Sequence, residues 1–136
     1  MSDAALLEHT LELVAERIGD PAPQVFERLF AESPELAGLF GNDPAGSVRG
    51  EMFHRALECL LDAAGPAQFV TGLVASEQVT HQGYGVSTAQ FEAFFDTLVA
   101  VFRDALGDDW TPAIDAAWAD AVARVQRITT PAGQAA

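Results

Sequence analysis

Apolar residues recur along this chain at three- and four-residue intervals, the period of an α-helix rather than of a strand. Leu7, Leu11, Val14 and Ile18 form the first stripe, with Ser2 or Asp3 placed to cap it and Gly19-Asp20-Pro21 to end it. Val25, Phe26, Leu29 and Phe30 form a second, shorter one. Ser33-Pro34-Glu35 then reads as a cap, a proline at the first helical position and an acid near the positive helix end; the short helix it opens carries Leu36, Leu39 and Phe40. The turn-rich Gly41-Asn42-Asp43-Pro44-Ala45-Gly46 predicts a loop.

A longer helix follows with Phe53, Leu57, Leu60, Leu61 and Ala64 inward, broken at Gly65-Pro66. The next places Val70, Leu73, Val74, Glu77 and His81 on one face and stops at Gly83-Tyr84-Gly85. Ser87 or Thr88 opens a strongly apolar helix with Phe91, Phe94, Phe95, Leu98, Phe102 and Leu106. After the Gly107-Asp108-Asp109 turn, Thr111-Pro112 starts a last helix that buries Trp118, Ala121, Val122, Val125 and Ile128. The pattern predicts an all-α domain of about seven helices over 1–129, with 130–136 as a flexible C-terminal tail. The short second, third and fifth helices do not suit an up-down four-helix bundle.

Composition narrows the class. With 136 residues, 49% of them hydrophobic and 20% charged, the chain has material for one packed core. Twenty acids stand against seven arginines and no lysine, for a net charge of −13. Such a surface repels phosphate backbones and anionic headgroups, which argues against nucleic acid and membranes as partners. No apolar run is long enough to span a bilayer. Residues 1–15 lack the basic start and cleavage site of a leader. The single Cys59 excludes an internal disulfide and a zinc finger, and with no leader visible a reducing cytoplasm is expected.

Few residues carry candidate chemistry. Of three histidines, His9 sits beside Glu8 on a solvent face, and His54 is turned about 100° from an inward Phe53. His81 ends its helix on the inward stripe, just before a glycine-rich corner. A histidine there is either a satisfied core residue or a metal or cofactor ligand. Glu77, one turn earlier, occupies a position where an aliphatic residue is expected. Either it hydrogen-bonds the imidazole, or the helix turns enough for it to reach solvent, the more ordinary outcome. Cys59 reads as a small core residue. Several of the nine phenylalanines, Phe26, Phe40, Phe53, Phe91 and Phe94, fall on inward faces. Serine-hydrolase, phosphate-loop, dinucleotide and zinc-protease motifs are absent.

Three segments resemble a known family: Phe26-Glu27-Arg28-Leu29-Phe30 with Ser33-Pro34-Glu35-Leu36 and Leu39-Phe40; His81-Gln82-Gly83-Tyr84-Gly85-Val86; and Leu106-Gly107-Asp108-Asp109-Trp110-Thr111-Pro112 with Ala117-Trp118. They are similar to single-domain bacterial globins, relatives of the haem domain of flavohaemoglobins, and the likeness runs from about residue 5 to residue 128. The resemblance implies a globin fold with haem b between a distal and a proximal helix. It makes His81 the iron ligand, Phe40 the residue packed flat on the porphyrin, and Val86, Phe91 and Phe94 proximal contacts. It places Phe53 over the iron, Leu57 on the distal helix and Arg49 at the distal polar position, with Phe26 where many relatives carry a tyrosine. Phe91 also replaces a tyrosine, and Gly133 stands near the relatives' late carboxylate partner of the histidine, a role that Glu77 is placed to take over.

A globin that reversibly binds O2, NO or CO is therefore expected, as a monomer or homodimer. The alternatives are an NO dioxygenase or peroxidase-like enzyme fed by an external reductase, and a haem-free sensor or interaction domain. No flavin or nicotinamide segment appears in the chain, so electrons are expected from outside it.

Overall fold

The computed structural model describes residues 1–129, and the tail predicted over 130–136, with Gly133, lies outside the described residues. Helix α1 (Asp3–Ile18) begins as the pattern predicts, with the Ser2 hydroxyl accepting from the Ala5 amide. Helix α2 spans Ala22–Glu32. The short helix predicted from Ser33-Pro34 is a 3-10 helix over Pro34–Phe40. Helices α3 (Ser47–Ala64), α4 (Val70–Gly83), α5 (Thr88–Leu106) and α6 (Pro112–Thr129) follow, with a 3-10 turn at Gly107–Asp109 before the last. No strand occurs among the described residues, and no helix is long and apolar enough to cross a membrane.

Helix α6 is the central support. It packs on α1, α3, α4 and α5, while α1 also meets α3 and α5, and α2 lies on α5 and the 3-10 helix. Trp118 is fully buried and donates its indole N–H to the Thr10 hydroxyl at 3.0 Å, which joins α6 to α1 through a satisfied polar contact. Phe102 stacks edge-on against Trp118 on one side and Phe53 on the other.

Two buried carboxylates set where the middle helices begin. Asp43 Oδ1 and Oδ2 accept the amides of Val48 and Arg49, which supplies the cap that Gly46 cannot give α3. Asp62, near the end of α3, accepts the amides of Gln68, Phe69 and Val70 at the start of α4. Both carboxyls lie below their ordinary range: burial pushes them up, but the backbone N–H groups outweigh it, helped at Asp43 by the Arg49 guanidinium. At the start of α5, Ser87 and Gln90 exchange hydrogen bonds with each other's backbone as a capping box.

Candidate functional site

Helices α3 and α4 diverge in front of α5 and leave a cavity of about 430 Å³, within the range of small-ligand sites. Leu29, Leu36, Leu39 and Phe40 close one end. Val48, Glu51, Met52, Arg55, Ala56 and Cys59 line it from α3, and Val74, Glu77 and His81 from α4. Tyr84 and Val86 at the corner, and Gln90, Phe91, Phe94 and Phe95 on α5, complete the wall.

His81 is held from three sides. Its Nδ1 lies 2.6 Å from the Glu77 carbonyl and donates to it, which leaves the lone pair on Nε2. Phe91 meets the imidazole edge-on, with ring centres 5.1 Å apart. The helix then ends in a Schellman-type turn: the Tyr84 and Val86 amides both reach the His81 carbonyl at 3.0 Å, and Gly85 takes the left-handed φ of 85° that this ending requires. The His-x-x-Tyr-Gly-Val spacing is thus the local chemistry of a helix end that fixes its last inward side chain.

Of the residues singled out in the sequence, Phe40, Glu77, His81, Val86, Phe91 and Phe94 come together on the cavity wall. Phe26, Arg49, Phe53 and Leu57 do not line it. Phe26 is fully buried behind the wall, with ring centres 5.6 Å from Phe40 and 5.4 Å from Phe94. Phe53 faces Phe102 in the core instead of the cavity. Leu57 shares that buried side. Arg49 is turned back onto the loop, with Nε 3.1 Å from Asp43 Oδ2 and Nη2 2.7 Å from the Asp43 carbonyl.

The physical reason is the breadth of the α3 apolar face. Phe53, Ala56, Leu57, Cys59, Leu60 and Ala63 are all buried, a band wide enough to serve two neighbours. Phe53, Leu57 and Leu60 take the core side, while Met52, Ala56 and Cys59 take the cavity side, so the cavity-facing row is displaced by one residue from the expected one. Met52, Arg55, Ala56 and Cys59 were not recognised as wall residues. The adjacency of Phe53, Leu57 and Leu60 to them was the available signal. Cys59 is buried, as expected of a core residue, and burial together with Glu58 and Glu77 pushes its thiol up to about 11.

Arg55, Glu77 and His81 follow one another along the wall. Arg55 Nη1 lies 3.6 Å from Glu77 Oε1, and Glu77 Oε2 lies 4.0 Å from His81 Nδ1. Glu77 therefore neither bonds the imidazole through its carboxylate nor turns away to solvent; it is half-buried and faces α3. Among the described residues no three His, Cys, Asp or Glu gather to hold a bare metal ion.

One inward imidazole, an apolar wall with three phenylalanines from α5, and no cluster of three metal-ligating side chains among the described residues characterise the cavity. Residues 23–128 match the model of the family described as Globin, and the chain belongs to the globin family. Members of that family typically hold haem. No curated protein and no solved structure matches the chain.

Proposed function

We propose that the chain binds haem b in the cavity between α3 and α4, where His81 would hold its iron, and reversibly takes up a diatomic gas. The observation that carries this reading is the donor set. A single imidazole with Nε2 free cannot hold a bare metal, but it would suffice for an iron already bound by a macrocycle. The wall fits such a group: Phe40, Val86, Phe91 and Phe94 give it apolar contact. When bound, the iron supplies the open coordination position and the redox chemistry.

The protein's part is to orient and to exclude water. His81 is fixed by the Glu77 carbonyl and by Phe91, so the imidazole enters the cavity in one orientation. Met52 and Ala56 offer no hydrogen bond from α3, and Phe26 has no hydroxyl. We place the chain with single-domain bacterial globins related to flavohaemoglobin haem domains, in the cytoplasm, as a monomer or homodimer. NO dioxygenation or peroxidase-like turnover would need an electron donor.

One observation favours a second reading, a haem-free sensor or interaction domain. Glu51 and Glu77 both face the cavity, and Arg55 is already engaged by Glu77, so anionic side groups meet net negative charge. An ultraviolet–visible titration with haem, ferric and then ferrous with CO, decides between the two. A saturable Soret band that is lost in His81→Ala supports the first; no saturable band selects the second.

A further inference from the structure

Glu77 offers the His81 Nδ1 proton two acceptors. One is its backbone carbonyl, at 2.6 Å and neutral; the other is its carboxylate, whose Oε2 stands 4.0 Å away and is anionic. A carboxylate is the stronger acceptor, and the four-residue spacing keeps it within reach by side-chain rotation alone. The geometry nevertheless uses the carbonyl. The group that draws the carboxylate the other way is on the facing helix: Arg55 Nη1, 3.6 Å from Oε1.

We propose that Arg55 is a positioning residue for His81. It holds the Glu77 carboxylate toward α3 and leaves Nδ1 bonded to the carbonyl, so a cation across the cavity sets how strongly the imidazole donates electrons through Nε2. An Nδ1–H shared with a carboxylate gives the ring imidazolate character and a more basic Nε2; one shared with a carbonyl gives less. With Arg55 in place the histidine is the weaker donor, suited to reversible ligand uptake. With Arg55 removed or screened it becomes the stronger donor. The control is adjustable because the Arg55 side chain is 51% exposed and Glu77 31% exposed, so the ion pair is weak and salt-sensitive. The consequence at iron rests on the haem reading; the hydrogen-bond choice itself belongs to the protein alone.

The test is built to keep those two apart. The ring nitrogen-15 shifts and the Nδ1 proton shift of His81 are read by NMR in the full chain without haem, for wild type, Arg55→Lys, Arg55→Ala and Arg55→Ala/Glu77→Gln. Arg55→Ala is expected to move the Nδ1 proton downfield. Arg55→Lys retains the wild-type shift, and the double variant returns to it. Wild type at about 1 M salt, where the screening length is about 3 Å, moves toward Arg55→Ala. In the haem-loaded ferrous protein the iron–histidine stretch rises in Arg55→Ala and relaxes in the double variant. An Arg55→Ala spectrum identical to wild type at His81 overturns the proposal, as does a shift that survives Glu77→Gln. A chain that takes up no haem defeats the haem reading and leaves the NMR comparison fully informative.

Discussion

Replacing Asp62 by alanine removes the carboxylate that accepts the amides of Gln68 at 3.1 Å, Phe69 at 2.9 Å and Val70 at 2.8 Å. These are orphan donors at the start of α4, the helix that carries His81. A lost helix cap costs about 1 kcal/mol, and a hydrogen bond to a charged group about 1.5–3 kcal/mol before water replaces it. Phe69 is about half exposed, so water recovers part of the loss. The expected cost is about 2–3 kcal/mol for Asp62→Ala, and about 1–2 kcal/mol for Asp62→Asn, which keeps one acceptor oxygen. For a domain of this size the alanine variant should melt about 6–12 °C lower. Urea unfolding at neutral pH should show a reduced midpoint with the slope unchanged. Hydrogen exchange should show the first turn of α4 opening before α5 and α6.

The pH dependence gives a sharper check. The folded Asp62 carboxyl lies below its ordinary value of 3.8, so its contribution is complete above that value and is lost as pH falls through the lowered one. The gap between wild type and Asp62→Asn should therefore be constant near neutrality and close in strong acid. A loss below about 0.5 kcal/mol for Asp62→Ala, typical of an ordinary surface change, would refute the capping argument. So would a gap that stays open in strong acid.

Three further outcomes are expected. Arg49→Ala should lower the melting temperature by freeing the loop at Asp43, and should leave CO and O2 dissociation from the haem-loaded chain unchanged; a faster rate would put Arg49 in the cavity. Thr10→Val should cost about 1–3 kcal/mol in chemical denaturation by leaving the buried Trp118 indole N–H unpaired, while Thr10→Ser recovers most of it. The Cys59 thiol, pushed up to about 11, should be about a thousandth thiolate at pH 8, so alkylation of the native chain should be far slower than in urea; equal rates would contradict its burial.

Helix existence was legible because periodicity, caps and breakers agreed. Ser2 and Ser87 cap α1 and α5 as read, and Gly19 and Gly65 stand at the ends of α1 and α3. The α4–α5 corner of the cavity was legible for a local reason: one helix end and one capping box fix His81, Val86 and Phe91 relative to each other within a few residues. The α3 side was not. Its orientation is decided by tertiary packing of Phe53 on Phe102 and by the Asp43–Arg49 clamp, neither of which leaves a periodic trace. Gln78 was missed as well. It is buried because its amide reaches the Thr129 carbonyl at 3.0 Å and the Thr88 hydroxyl at 3.2 Å, partners far along the chain that no local pattern predicts. Glu77 had two readings, and the structure takes a third course, in which Arg55 from another helix holds it.

The cavity draws its lining from α2, the 3-10 helix, α3, α4 and α5, and takes none from α1 or α6. That pair, locked by Trp118 and Thr10, behaves as a chassis on which the ligand-facing wall is mounted. The Trp118–Thr10 contact at the centre of the fold therefore lies in helices that contribute nothing to the cavity wall. Drift at Met52, Ala56 or Tyr84 can alter what the protein binds while the chassis goes on specifying the same fold, and such a lineage can change its chemistry far faster than its architecture.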